Sequence, residues 1–125
     1  MSNDSALDQP VILVVDDDPV DRALMCECLQ SADFRVEEAV DGSHALEVFR
    51  TVHPHIVLLD VGMPGMTGIE TCAALRQLPG GAQVPIVMVT GHDDTDSIAH
   101  SYEAGASDFM IKPFHPLILT QRIRY

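Results

Sequence analysis

Residues 11–22 read VILVVDDDPVDR. Five apolar residues, with no polar alternation among them, run into three aspartates and a proline. A continuous apolar run of this length fits a strand covered on both faces, the mark of a parallel sheet between two helix layers. The aspartates that follow are awkward neighbours, because like charges repel and a buried carboxylate without a partner is costly. Either they are solvated and incidental, or something cationic sits among them.

Comparable runs recur along the chain: HIVLLD at 55–60, VPIVMVT at 84–90 and DFMIK at 108–112. FRVEEA at 34–39 alternates apolar with charged residues and reads as an edge strand. Helical stripes lie between the runs. They are Val20, Ala23, Leu24 and Cys28; then Ala45, Leu46 and Phe49; then Ile69, Cys72 and Ala73; then a thin pair, Ile98 and Tyr102. Leu117, Ile118 and Leu119 open a fifth helix just after Pro116. Turn signals at Asp41-Gly42, Pro64-Gly65, Pro79-Gly80-Gly81 and Gly105 separate the elements. A β-α unit repeated in this way predicts an α/β, doubly wound, five-stranded parallel sheet of flavodoxin-like order 2-1-3-4-5.

The bulk numbers fit one such domain. The chain has 125 residues, 46% of them hydrophobic, and a mean hydropathy of +0.13. Nineteen acidic residues against seven basic ones give a net charge of −12, which argues against nucleic acid or anionic membranes as direct partners. No apolar stretch approaches the roughly 20 residues of a membrane helix, and the N-terminus lacks the features of a signal peptide, so a cytoplasmic location is expected. Residues 1–9 read as a flexible leader and 10–125 as the domain. The fifth helix has no stop signal before Tyr125, which suggests continuation into an output module. Cys26, Cys28 and Cys72 show no disulfide or metal spacing and read as small apolar filler. His53 and His55, which flank Pro54, read as loop residues rather than metal ligands.

In a doubly wound sheet, ligands bind outside the carboxyl ends of the strands. There the sequence delivers Asp16-Asp17-Asp18, Asp60, Thr90-Gly91 and Lys112-Pro113. As a purely structural residue, Asp60 would cap the following loop; its company suggests more. A carboxylate can attack a phosphoryl group and become an acyl phosphate. Two anions then approach each other, so a cation must screen them. Magnesium suits this role through its preference for oxygen ligands, with manganese as a substitute. Asp17 and Asp60 are the expected direct ligands, and Asp16 acts through water. Lys112 supplies a point charge, Thr90 a hydroxyl donor, and Gly91 leaves room for a phosphodonor.

The pieces ILVVDDDP (12–19), IVLLDVGMPGMTGIE (56–70), PIVMVTG (85–91) and YEAGASDFMIKPF (102–114) resemble, in order and spacing, the receiver domain of two-component response regulators. The resemblance implies that Asp60 accepts a phosphoryl group from a histidine kinase or a histidine phosphotransfer protein. It makes Asp16 and Asp17 the acidic pair, and the backbone carbonyl of Gly62 the third magnesium ligand. Thr90 and Phe109 become the switch residues, and Lys112 the site lysine, with a cis bond to Pro113. Gly62 and His92 fall where phosphate lifetime is tuned, with more of that role expected of His92. The fourth helix, fifth strand and fifth helix form the face that would change on phosphorylation, engage the output module and pair two copies. The segment at 101–125 is similar to receivers attached to cyclic-di-GMP (GGDEF or EAL) modules, with a DNA-binding output or a hybrid kinase as the alternatives.

Two other readings compete. Asp16-Asp17-Asp18, with GHDDTD at 91–96, superficially resembles a phosphatase of the haloacid dehalogenase type with Asp16 as nucleophile. That family places its lysine before the later acidic motif, whereas Lys112 comes after, and Asp60 is left unexplained. The third reading is a receiver-like interaction module that never takes phosphate. Under the receiver reading the aspartate triplet divides. Asp16 and Asp17 belong to the site, while Asp18 is the N-cap of the first helix, with Pro19 next and Asp21 near the positive helix end.

Overall fold

The computed structural model describes residues 9–91, 95–112, 115, 119–121 and 123. In chain order the elements are β1 (Val11–Val15), α1 (Pro19–Ser31), β2 (Arg35–Ala39), α2 (Gly42–Val52), β3 (Ile56–Asp60), α3 (Gly68–Gln77), β4 (Ile86–Thr90), α4 (Thr95–Glu103) and β5 (Asp108–Ile111). Residues 119–121 and 123 are also helical. The strands form one parallel sheet of order β2-β1-β3-β4-β5, as the sequence predicts.

The continuous apolar runs are explained by the sheet's two faces. Successive strand side chains point to opposite sides. Leu13, Val15, Val57, Leu59, Ile86 and Met88 join Phe49, Cys72 and Leu75 in the core under α2 and α3. Ile12, Val14, Leu58, Val87, Val89 and Met110 join Met25 and Leu29 of α1, together with Leu119 and Ile123, on the other side. All of β1 and β4 is therefore buried. The two edges differ from this pattern. β2 lies at one edge, as its charges require. In β5, at the other edge, only Met110 is buried and Ile111 is exposed.

Three helical stripes differ from the expected ones. On α1 the buried face is Met25, Cys26 and Leu29, whereas Val20 is 65% and Leu24 55% exposed. The helix carries two apolar stripes, and tertiary contacts choose between them. Arg22, on the inward side, donates to the carbonyl of Asp16 (2.8 Å) and to Glu38 (3.0 Å), which fixes the rotation of the helix. On α3, Ala73 faces out, and Thr71 and Leu75 complete the buried face. On α4, Tyr102 faces out and Ser101 is buried. The cysteines form no disulfides, and Cys26 and Cys72 are buried. His53 ends α2 in a left-handed conformation (φ 53°). His55 Nδ1 accepts the N–H of Val11 at 2.9 Å, which closes the start of β1.

The loop after β3 is held by a tight approach. Thr67 and Glu70 cap α3 reciprocally. Gly68 is the first residue of α3, pressed onto the end of β3. A Cβ there would lie 2.1 Å from the carbonyl oxygen of Asp60 and 2.6 Å from Val61 Cα. These are backbone atoms that cannot step aside without moving Asp60. Gly68→Ala should therefore destabilise the protein by about 3 kcal/mol, measured by urea unfolding. A loss under about 0.5 kcal/mol would show that the loop relaxes freely.

Candidate functional site

Four strand ends converge on one rim. Asp60 is the last residue of β3 and Thr90 the last of β4, while Asp16 and Lys112 directly follow β1 and β5. The register explains the convergence. Asp60 pairs with Val89, Thr90 pairs with Ile111, and the carbonyl of Thr90 accepts the N–H of Lys112 at 2.6 Å. Thr90 is buried at this rim.

Asp16, Asp17 and Asp60 can each bring one oxygen within 4.8 Å of the others. Their environments differ. Asp16 is fully buried, Asp60 nearly so, and Asp17 exposed. Asp16 Oδ1 accepts the N–H of Asp18 at 2.9 Å, and its Oδ2 accepts from Lys112 at 3.0 Å. Asp60 Oδ1 accepts the N–H of Gly62 at 3.3 Å and lies 3.9 Å from Lys112 Nζ. Burial, reinforced by the charge of Asp16, pushes the Asp60 carboxyl up to about 6, against the pull of Lys112 and the Gly62 N–H. Burial works against the Lys112 ammonium as well. Its bonds to Asp21 and Asp16 and the charge of Asp60 outweigh that effect and hold its pKa above the ordinary lysine range.

Asp18 takes the expected N-cap position on α1, its Oδ1 accepting from Val20 (2.9 Å) and Asp21 (3.4 Å), and Pro19 opens the helix. Asp21 is different. Rather than serving only the helix end, its Oδ2 accepts from Lys112 Nζ at 2.9 Å. Two residues 91 positions apart meet here, and only the correct helical phase of α1 could have revealed it. Gly62 is exposed, with nothing within 4 Å of where a Cβ would stand. Phe109 is half-buried against the core under α2 and α3. His92, Pro113 and its bond to Lys112, and the opening of the fifth helix at Pro116 lie outside the described residues. Among the described residues, no other group of His, Cys, Asp and Glu meets the geometry for a metal.

The donor set fits a hard divalent cation. It offers carboxylate oxygens alone, and the acids exceed the one ammonium that faces them. Asp16 has both oxygens engaged and no exposed surface, which removes it as the nucleophile that the phosphatase reading requires.

Comparison with known proteins agrees with this geometry. The family described as "Response regulator receiver domain" matches residues 12–124. The DNA-binding response regulator MtrA of Mycolicibacterium smegmatis is 43% identical over 113 residues, covering 90% of this chain and 48% of MtrA. The transcriptional regulatory protein CseB of Streptomyces coelicolor is 38% identical over 117 residues, covering 94% of this chain and 49% of CseB. The chain thus spans about half the length of these curated relatives. Among solved structures, the Vibrio cholerae chemotaxis protein CheY4 superposes with a TM-score of 0.90 at 31% identity, covering 93% of this chain and 97% of CheY4. The BeF3-activated receiver domain of Klebsiella pneumoniae RstA gives 0.82 at 36% identity, covering 91% and 95%. Among the described residues, no helix is long and apolar enough to cross a membrane. The fold, the acidic rim and a match over nearly the whole chain place this protein in the response regulator receiver domain family, the signalling phosphoacceptors of two-component systems.

Proposed function

We propose that Asp60 is the phosphoacceptor and that a histidine kinase or histidine phosphotransfer protein is the donor. The observation that carries this is the cluster itself: Asp60, raised in pKa and nearly buried at the strand rim, with Lys112 3.9 Å away. An Asp60 oxygen attacks phosphorus. The new O–P bond forms as the P–N bond of the phosphoimidazole breaks, and the electron pair leaves with the imidazole nitrogen. Later attack by water on phosphorus releases inorganic phosphate and restores the carboxylate. Lys112 neutralises charge on the transferring group, and the Thr90 hydroxyl donates to one of its oxygens. Magnesium, or manganese in its place, supplies charge neutralisation at the phosphoryl oxygens when bound. Asp17, Asp60 and the Gly62 carbonyl would hold it directly, with Asp16 behind them through water.

The test is incubation with acetyl phosphate and magnesium followed by intact-mass spectrometry. Wild type should gain one phosphoryl group and Asp60→Asn none. Equal modification of both at another aspartate would remove the assignment, and no modification of wild type would favour the phosphate-independent module. A second contrast tests the division of the triplet. Asp17→Asn should weaken magnesium binding more than tenfold by titration calorimetry, and Asp18→Asn less than twofold, since asparagine still caps a helix. Equal losses would put the division in the wrong place.

The switch follows from the same rim. Phosphate draws Thr90 inward, Phe109 rotates into the space, and the α4–β5 face with the helix after it changes shape. That face is the proposed contact for an output module and for a second copy of the chain. Gly62, which brings no side chain to the water's path, leaves phosphate lifetime to His92. For the output, the relatives replace the earlier expectation. MtrA and CseB are named as DNA-binding or transcriptional regulators, so control of a DNA-binding module replaces cyclic-di-GMP signalling as the proposal.

A further inference from the structure

We infer that Asp21 is a latch that holds Lys112 away from the phosphoryl position, so that it sets how readily Asp60 accepts and keeps its phosphoryl group. The inference rests on the phosphoacceptor reading above and adds a positioning residue that lies outside the strand-end rim.

An ammonium has three N–H donors. In Lys112 one goes to Asp21 Oδ2 at 2.9 Å and one to Asp16 Oδ2 at 3.0 Å. Asp60 Oδ1, at 3.9 Å, lies beyond hydrogen-bond reach. The lysine therefore leans toward the first turn of α1 rather than toward the phosphoacceptor. A phosphoryl group on Asp60 has to win Lys112 from these two acids. Asp16 is buried beside Asp60 and stays close to the lysine wherever it points. Asp21 sits on the far side, with 35% of its side chain exposed, so only its bond is lost when Lys112 swings inward. Its carboxylate opposes phosphorylation by competing for the same cation. Because Asp21 is partly solvated, neutralising it strands no buried charge, and the fold should tolerate the change.

Beryllofluoride, an analogue of the phosphoryl group on Asp60, measures this competition at equilibrium. With the full chain in magnesium, titration calorimetry should show Asp21→Asn binding beryllofluoride about fivefold more tightly than wild type, the scale of one charge-assisted hydrogen bond that is partly solvated. A merely structural role would weaken binding instead. Asp21→Glu, which keeps a carboxylate in reach of Lys112, should return to within twofold of wild type. Asp18→Asn removes one charge from the same helical turn without touching Lys112 and should change affinity less than twofold. Unchanged or weaker binding in Asp21→Asn, an equal gain in Asp18→Asn, or a gain in Asp21→Glu matching the asparagine variant would each overturn the latch. Asp60→Asn should not bind at all; binding that survived it would overturn the phosphoacceptor reading, and the latch with it.

Discussion

Lys112→Met lowers the midpoint of thermal unfolding by about 10 °C in metal-free buffer near pH 7, and added magnesium recovers a large part of the loss. The reason is the company the ammonium keeps. Asp16 has no exposed surface, and Lys112 is the cation bonded to its Oδ2. Methionine fills nearly the same space as the lysine stem, so the variant isolates the charge. Removing one partner of a buried pair leaves the other uncompensated, which costs about 3 kcal/mol or more. In a domain of this size that corresponds to about 10 °C. Asp60 adds to the penalty, because its carboxylate loses the Lys112 attraction and keeps the Asp16 repulsion. A divalent cation among Asp16, Asp17 and Asp60 supplies the missing positive charge, and binding to the native state raises stability by mass action. Differential scanning calorimetry with EDTA and with magnesium reads both effects. A shift under 2 °C in EDTA would mean that water already solvates Asp16 adequately.

The same charges explain how much could be read in advance. The strands were legible because a parallel strand between two helix layers must be apolar on both faces, and VILVV and IVLLD satisfy that requirement almost residue by residue. The rim was legible for a related reason: Asp16, Asp60 and Lys112 are charges placed directly at the ends of such runs, where stability alone would not put them. The helices were harder. Val20, Ala23, Leu24 and Cys28 form as good a stripe as Met25, Cys26 and Leu29, and periodicity cannot choose between two apolar faces. Arg22 marks the second face as the inward one, through a bond to the Asp16 carbonyl at the end of β1 and one to Glu38, which β2 brings alongside by pairing with β1. With α1 turned to the wrong face, Asp21 points nowhere in particular. With it turned correctly, Asp21 meets Lys112. Gly68 was hidden in another way. A glycine between MPGMT and IE reads as a turn residue, and only the packing of α3 onto β3 shows that a side chain would strike the Asp60 carbonyl.

Asp60→Asn stabilises the protein at pH 8, by about 2 kcal/mol in EDTA, and the gain fades as pH falls. Burial and the nearby Asp16 charge oppose the ionised Asp60 more than Lys112 and the Gly62 N–H support it, so its carboxyl is raised from 3.8 to about 6. The unfolded chain titrates near the ordinary value. Between those two pH values the native state holds a proton that the unfolded state has released, so the stability of wild type falls as pH rises through this window. The cost is fully present above pH 6 and absent below about pH 4. Asparagine has nearly the same shape, can still accept the Gly62 N–H, and carries no charge at any pH. Its advantage should therefore be largest at pH 7–8, about half as large near pH 5, and negligible near pH 4. The shape of this curve is more diagnostic than its height. A constant offset between the two proteins from pH 8 to pH 4 would mean that the gain comes from packing or the unfolded state rather than from charge. A less stable variant at pH 8 would mean that Lys112 attraction exceeds the combined effect of burial and Asp16 repulsion. In the expected case the protein keeps at position 60 a carboxylate that weakens its own fold, as a group retained for reaction with phosphorus would be.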